Sequence, residues 1–379
     1  MIFIRKEVQD MNKQSVLDAI SGKASEKIPF ALFTWGFGYM WKILGIEPWQ
    51  LACGSSKTWH DAHIRLLEAH DPDAIFYSGA GEGDNDPVLL DERKDEWIVK
   101  DGNTGKIYEI NRISLSMEEA GKSKEEKTVE IDSVKDADRL IPRFEGWGDR
   151  YLEGLARLIS EAGDRALVLP HHSPGYIRAC YALGFEGAML MMVEKPDLFK
   201  YICSIYEDGY DLRMKQLADA GAQAFFIADG WASCDIISPS MFDEFALPCQ
   251  ISMTRAAQKF GLKVILWNEG DILPILKQEK SVGADAFAFE QPRKGADITV
   301  DKVRKVFGSE RCLFGNLDSE MLLLGNDREE IFNSIKEQII GSGKGAPFVM
   351  CTGSPIPDNV DPGTINHIIE VVRSGGIKI

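Results

Sequence analysis

Acidic side chains and imidazoles recur in this chain at one kind of place, directly after a short apolar run. Val264, Ile265 and Leu266 lead into Trp267, Asn268, Glu269, Gly270 and Asp271. His171 and His172 follow residues 166–169, Asp229 follows residues 224–227, Glu290 follows residues 286–289, and Cys351 follows residues 348–350. Carboxylates can bind metal or substrate, imidazole can exchange a proton near neutral pH, and a thiol turned inward is a soft ligand. Trp267 and Glu269 lie two residues apart and so share one face of an extended strand. Plainer roles stand beside these. Asp271 caps the helix read over residues 272–278, Glu269 is a charged residue at a barrel mouth, Asp229 is a cap or an internal hydrogen-bond acceptor, and Cys351 is an inert buried thiol. Asn316 and Asp318 suit stabilisation of a turn better than chemistry. Neighbouring strand residues point to opposite faces, which admits one of the two histidines to a site, here taken as His172.

Such residues converge only if the apolar runs are parallel strands of one sheet. Eight are present, at residues 28–33, 73–77, 166–169, 224–227, 264–266, 286–289, 312–314 and 348–350, and helical patterns such as 195–219 and 240–260 separate them. Eight strand–helix units predict an α/β (β/α)8 TIM barrel, whose strand C-termini meet at one active site. Between the second and third runs, residues 83–138 read as an excursion. They carry a β-hairpin, with strands 97–100 and 107–110 around a turn at 101–105, and then a charge-rich loop at 118–126. The reading is one domain over residues 1–379. The segment 34–41, rich in Gly and aromatics, is either a packed loop over the barrel end or an apolar wall for a ring-shaped ligand, with Trp35, Tyr39 and Trp41 as its rings.

Composition narrows the partners. With 379 residues, 44% of them hydrophobic, the chain can bury a large core. A formal net charge of −16 offers no basic surface for nucleic acid. No apolar run reaches the roughly 18 to 20 residues that span a bilayer, and residues 1–6 lack a secretory core. Seven scattered cysteines without a C-x-x-C pair suit a reducing compartment, so the expected location is the cytoplasm.

In Ser15-Val16-Leu17-Asp18-Ala19-Ile20 with Lys27-Ile28-Pro29, and then Asp229-Gly230-Trp231-Ala232, the chain resembles the uroporphyrinogen decarboxylase superfamily, which includes corrinoid-dependent methyltransferases. The likeness runs on through Ile237-Ser238-Pro239, Phe242, Glu244-Phe245 and Pro248. It continues through Gly270-Asp271, Gly283-Ala284-Asp285 and Gly315-Asn316-Leu317-Asp318 to Gly353-Ser354-Pro355-Ile356-Pro357. Two departures separate the branches. The decarboxylase resemblance implies arginines near the first strand to hold a polycarboxylate, yet no arginine stands between Arg5 and Arg65. The methyltransferase resemblance implies a zinc triad of His-x-Cys after the fifth strand and Cys after the eighth. Here those positions read Trp267, Glu269 and Ser354, with Cys351 a turn earlier. A site with fewer thiolates leaves zinc a harder Lewis acid toward oxygen.

The resemblance therefore implies a zinc-dependent methyltransferase that moves a methyl group from an O-methyl substrate, such as an aryl methyl ether, to a Co(I) corrinoid on a partner protein. Its metal ligands would be Glu269, Glu290 and Cys351, and its catalytic residues Asp229 and His172, the latter protonating the departing oxygen. Its substrate wall would be Trp35, Tyr39, Trp231 and Trp267. A homodimer is implied at family level. The alternatives are a methylcorrinoid:thiol methyltransferase, a metal-free decarboxylase and a non-catalytic ligand-binding barrel.

Overall fold

The computed structural model describes residues 12–25, 27–34, 38–79, 83–112, 117–120, 131–292, 295–375 and 377. Its strands in chain order are β1 (Ala31–Leu32), β2 (Ala74–Phe76), β3 (Val88–Glu92), β4 (Glu96–Lys100), β5 (Ile107–Asn111), β6 (Met117–Glu119) and β7 (Leu167–Leu169). They continue as β8 (His171–His172), β9 (Ala224–Asp229), β10 (Lys263–Asn268), β11 (Ala286–Phe289), β12 (Cys312–Phe314) and β13 (Phe348–Val349). Parallel pairing runs β1-β2-β7 and β8-β9-β10-β11-β12-β13. Pro170 divides β7 from β8 because it has no N–H for the ladder, but its carbonyl still accepts from Phe226 N at 3.0 Å. The two pieces thus serve as one barrel strand. A parallel bridge between Phe30 and Met350 joins the first position to the last. The eight expected runs are the eight staves of a TIM barrel.

Alternation along the staves divides the core in two. Ala31, Phe33, Phe76, Leu169, Phe226, Ala228, Ile265, Trp267, Ala288, Phe314 and Cys351 belong to the interior cluster, while Phe225, Ile227, Val264, Leu266, Phe287 and Phe289 pack outward against the helices. Large and small residues alternate within the barrel, so Phe33 stacks on Phe76 at 4.5 Å and Phe76 meets Phe226 edge-on at 4.8 Å. Helix Lys13–Ile20 adds Val16, Ala19 and Ile20 to this interior cluster. Asn12 caps it by accepting from Gln14 N and Ser15 N.

The excursion holds more than a hairpin. β4 and β5 are the expected strands, and the Asp101 carboxylate nucleates their turn by accepting from Asn103 N at 2.9 Å and Thr104 N at 2.6 Å. β3 and β6 extend them to a four-stranded antiparallel sheet, so part of the expected charged loop is the strand Met117–Glu119. Residues 121–126 of that loop lie outside the described residues. Trp97, Val99 and Ile110 pack this sheet on Cys53, with Trp49 and Ala52 beside it. The long helical pattern 195–219 divides into Pro196–Glu207 and Tyr210–Asp219. The 240–260 pattern widens into a π-turn at Phe242–Ala246, just before Pro248, which supplies no N–H to the helical ladder. Among the described residues no helix is long and apolar enough to cross a membrane.

Candidate active site

Strand alternation decides which candidates reach the barrel mouth. On β10, Ile265 and Trp267 face the interior and Val264 and Leu266 face the helices. Asn268 follows the outward set: its Nδ2 donates to Glu279 Oε1 at 2.7 Å and to Ala232 O at 3.1 Å. Its Oδ1 accepts from Glu269 N at 2.9 Å, which fixes the turn from which Glu269 projects. The half-buried Glu269 carboxylate lies over Gly230, where an added Cβ would come within 2.9 Å of Oε1. A side chain at residue 230 would displace that carboxylate. Gly270 has φ +72°, and a Cβ there would collide with Asp235 and Ser233, so the turn demands glycine.

Glu290, 6% exposed, braces the mouth. Its Oε1 accepts from Ser354 Oγ at 3.1 Å and its Oε2 from Gly270 N at 2.9 Å, tying the ends of β10, β11 and β13 together. Cys351 is buried in the interior cluster, and burial pushes its thiol well above the usual range, so it stays protonated. Among the described residues no three His, Cys, Asp or Glu side chains are grouped so as to hold a metal ion. The expected ligand set of Glu269, Glu290 and Cys351 therefore does not fit zinc. One member holds the scaffold together, and another is a neutral thiol in the packed interior.

Three more expectations need correction. Asp229 shares the outward face of Phe225 and Ile227 and is fully buried against helix Leu247–Lys259, where Gln250 Nε2 donates to its Oδ2 at 3.0 Å. It does not open on the mouth. Trp267, 4% exposed, is a layer of the barrel filling: it meets Phe33 edge-on at 5.8 Å and donates from Nε1 to Gly353 O at 3.0 Å. Tyr39, 1% exposed, is a helix-packing residue whose hydroxyl lies 3.0 Å from His70 Nε2, and His70 Nδ1 in turn lies 2.8 Å from Asn366 Oδ1. Trp35 lies outside the described residues. Asp271 does cap the next turn, accepting from Leu273 N at 3.2 Å.

Trp231 does stand at the mouth. It is half-buried, with Tyr181 at 5.0 Å and Phe185 at 5.5 Å, both edge-to-face, and those two rings are 52% and 50% exposed. Glu269 is near enough to help raise the Tyr181 phenol, after burial and Asp229. The acid and the aromatic rim are neighbours.

His171 and His172 both line a cavity of about 260 Å³ at the ends of β2 and β8, with Tyr77, Ser78, Gly79, Trp147, Tyr151 and Ser173. Pro170 interrupts the strand there, so simple alternation does not separate the pair. Burial drives His171 down to about 4. Burial, then Arg213, Arg178 and His171, hold His172 well below its ordinary value. His172 is therefore a neutral ring at pH 7 and not the imidazolium acid expected. Arg213 is itself lowered to about 10, chiefly by burial, and lies over Phe144 at 3.9 Å and Trp147 at 4.8 Å. Trp147 stacks on Tyr151 at 4.2 Å and meets His172 edge-on at 5.6 Å. Sequence reasoning missed this wall, because Phe144 and Trp147 precede helix Asp149–Ala162 and share no helical period with Tyr151.

A family model described as uroporphyrinogen decarboxylase matches residues 113–375. The uroporphyrinogen decarboxylase of Chlorobaculum parvum is 26% identical over 266 residues, covering 66% of this chain and 72% of that protein. The methylated-thiol–coenzyme M methyltransferase of Methanosarcina mazei is 31% identical over 126 residues, covering 33% of this chain and 32% of that protein. In fold, a solved methyltransferase from Methanosarcina mazei is similar with a TM-score of 0.70, covering 97% of this chain and 99% of that one at 18% identity.

Proposed function

The chain belongs to the uroporphyrinogen decarboxylase family, and from that premise we propose that it is a methyltransferase that takes a methyl group from an O-methyl substrate, an aryl methyl ether in particular, and delivers it to a corrinoid on a separate protein. The observation that carries this reading is the pairing, at the barrel mouth, of the half-buried Glu269 carboxylate with the rings of Trp231, Tyr181 and Phe185. Aromatic rings and one acid suit a flat, weakly charged substrate. Eight carboxylates would demand the guanidinium groups that the stretch from Ile28 to His63 lacks.

In this mechanism Trp231 and its neighbours orient the aryl ring and exclude water from one side of the methyl group. Glu269, held by the Asn268 bond to its backbone, relays a proton from solvent to the ether oxygen as the bond from that oxygen to the methyl carbon breaks. The half-exposed faces of Tyr181 and Phe185 suit the approach of a flat macrocycle. A bound corrinoid would supply the cobalt nucleophile that accepts the methyl group. Zinc takes no part in the proposal, because the donor residues do not fit it.

The test is an anaerobic incubation of the purified protein with cobalamin reduced to Co(I) and 2-methoxyphenol, followed by the absorbance of methylcobalamin. The expected result is catalysed methyl transfer, reduced at least about 100-fold in Glu269→Gln. Transfer in the opposite sense, from methylcobalamin to a thiol, with none from any methoxyarene, would replace this reading with the thiol chemistry named for the Methanosarcina mazei relative.

A further inference from the structure

Two guanidinium groups stand beside the cavity at the ends of β2 and β8 with no acid to meet them. Arg213 comes from helix Tyr210–Asp219 and is 5% exposed, and Arg178 comes from helix Gly175–Leu183 and is half-buried. Arg178 is near enough to help lower Arg213, and both act on His172, which lines the cavity. Arg213 stays cationic at pH 7, because burial brings it down only to about 10. Among the described residues neither arginine enters an ion pair, and no Asp or Glu contributes to the charge around Arg213.

Nε of Arg213, Nε of Arg178 and Nε1 of Trp147 are buried N–H groups without a hydrogen-bond partner. All three can only donate. Unpartnered buried donors are rare, and two of these carry a positive charge whose burial is costly until an anion meets it. A water would satisfy an N–H and leave both charges standing. Arg213 lies over Phe144 at 3.9 Å and Trp147 at 4.8 Å, a contact that occupies the face of the guanidinium and leaves its in-plane N–H groups for an acceptor. The cavity itself is lined by rings and neutral polar groups. Tyr77, Trp147 and Tyr151 give the rings, Ser78 and Ser173 give hydroxyls, and His171 and His172 are uncharged at pH 7. At about 260 Å³ it has room for a single ring with a short substituent.

We propose that this cavity binds an aromatic carboxylic acid, with its carboxylate paired to Arg213 and Arg178 and its ring against Tyr77, Trp147 and Tyr151. A planar carboxylate matches the fork of a guanidinium. An inorganic anion would meet the same charges but leave the rings without a partner. One acid group is involved, not the eight of a porphyrinogen. Arg178 lies three residues before Tyr181, which packs on Trp231 at 5.0 Å, so the anion end of the site and the aromatic rim share helix Gly175–Leu183. Binding here does not require the proposed methyl transfer. A protein that binds the acid and transfers no methyl group keeps this site and loses that function.

The test is calorimetric titration of the purified full chain, without cobalamin, using 4-methoxybenzoate, its uncharged analogue 4-methoxybenzyl alcohol, acetate and phosphate at equal ionic strength. The expected result is that 4-methoxybenzoate binds at least about 10-fold more tightly than the other three, and that this margin is lost in Arg213→Met and in Arg178→Met. Absence of binding in the wild-type protein overturns the proposal, as does equal binding by both variants. Phosphate or acetate held as tightly as the aromatic acid also overturns it, leaving a plain anion site. Should Arg213→Met fail to fold, crystals of the wild-type protein soaked in 4-bromobenzoate decide the matter. An anomalous bromine peak in the cavity, with the carboxylate on the two guanidinium groups, supports the site, and a cavity that holds only water overturns it.

Discussion

Trp267 illustrates how one residue at a strand end can serve the barrel instead of the ligand. Its indole fills the interior beside Phe33 and Phe226 and ties to Gly353 O through Nε1. Trp267→Ala should therefore lose about 3 to 5 kcal/mol of stability, and Trp267→Phe about 1 to 3 kcal/mol, read as midpoint shifts in urea. A change in substrate KM with no loss of stability would put the ring back in the ligand wall. Glu290 and Cys351 follow the same logic with metal. Because Ser354 and Gly270 occupy the Glu290 carboxylate and the Cys351 thiol is protonated, purified protein should hold well under one zinc per chain. Elemental mass spectrometry of wild type beside Glu269→Ala checks this, and one zinc lost with Glu269 would contradict it. Asp229 shows why these roles were hidden. A parallel barrel strand is apolar on both faces, so residues 224–228 give no cue to which way residue 229 points. Only the ladder and the partner Gln250 on a distant helix decide it.

Elements were more legible than side chains. All eight staves announced themselves as apolar runs, because both faces of each are covered. β3 did not, since Val88 and Leu90 are exposed on an edge strand and the local sequence is mostly charged. The strand broken at Pro170 has its own consequence, for it sets His171 and His172 against the cavity that Trp147 and Tyr151 wall off. Helix Ser56–His70 places His63 nearby, with Nδ1 2.7 Å from Trp59 O and Ser78 N donating to Nε2 at 3.2 Å. Burial lowers His63 and His171 to about 4 each, and ordinary imidazole titrates near 6.5. The unfolded chain thus takes up protons first as pH falls. Stability from these rings is fully present above about pH 6.5 and is lost progressively toward pH 4, by about 3 kcal/mol per ring at most. Urea unfolding at pH 7, 6 and 5 should show a steep fall, and His171→Asn should flatten it. An unchanged slope in that variant would mean that His171 titrates normally.

At the scale of the whole molecule, 59 acidic residues against 43 basic ones leave a surplus that must be carried at the surface as well as in the barrel wall. Many acids already have partners, such as Asp61 with Lys57, Asp138 with Arg143 and Asp301 with Lys305. These exposed pairs contribute little each, and the remaining charge repels itself over a range set by the salt. The Debye length falls from roughly 30 Å at 0.01 M to about 8 Å at 0.15 M, from longer than the spacing of neighbouring surface charges to comparable with it. Raising choline chloride from about 10 to 200 mM should therefore raise Tm by about 1 to 3 °C, gradually and without saturation at low concentration. The same curve should appear in Glu279→Gln, because screening acts on the whole surface and not on one buried carboxyl. If monovalent salt left Tm unchanged or lowered it, the net charge of −16 would be too evenly dispersed to strain the fold.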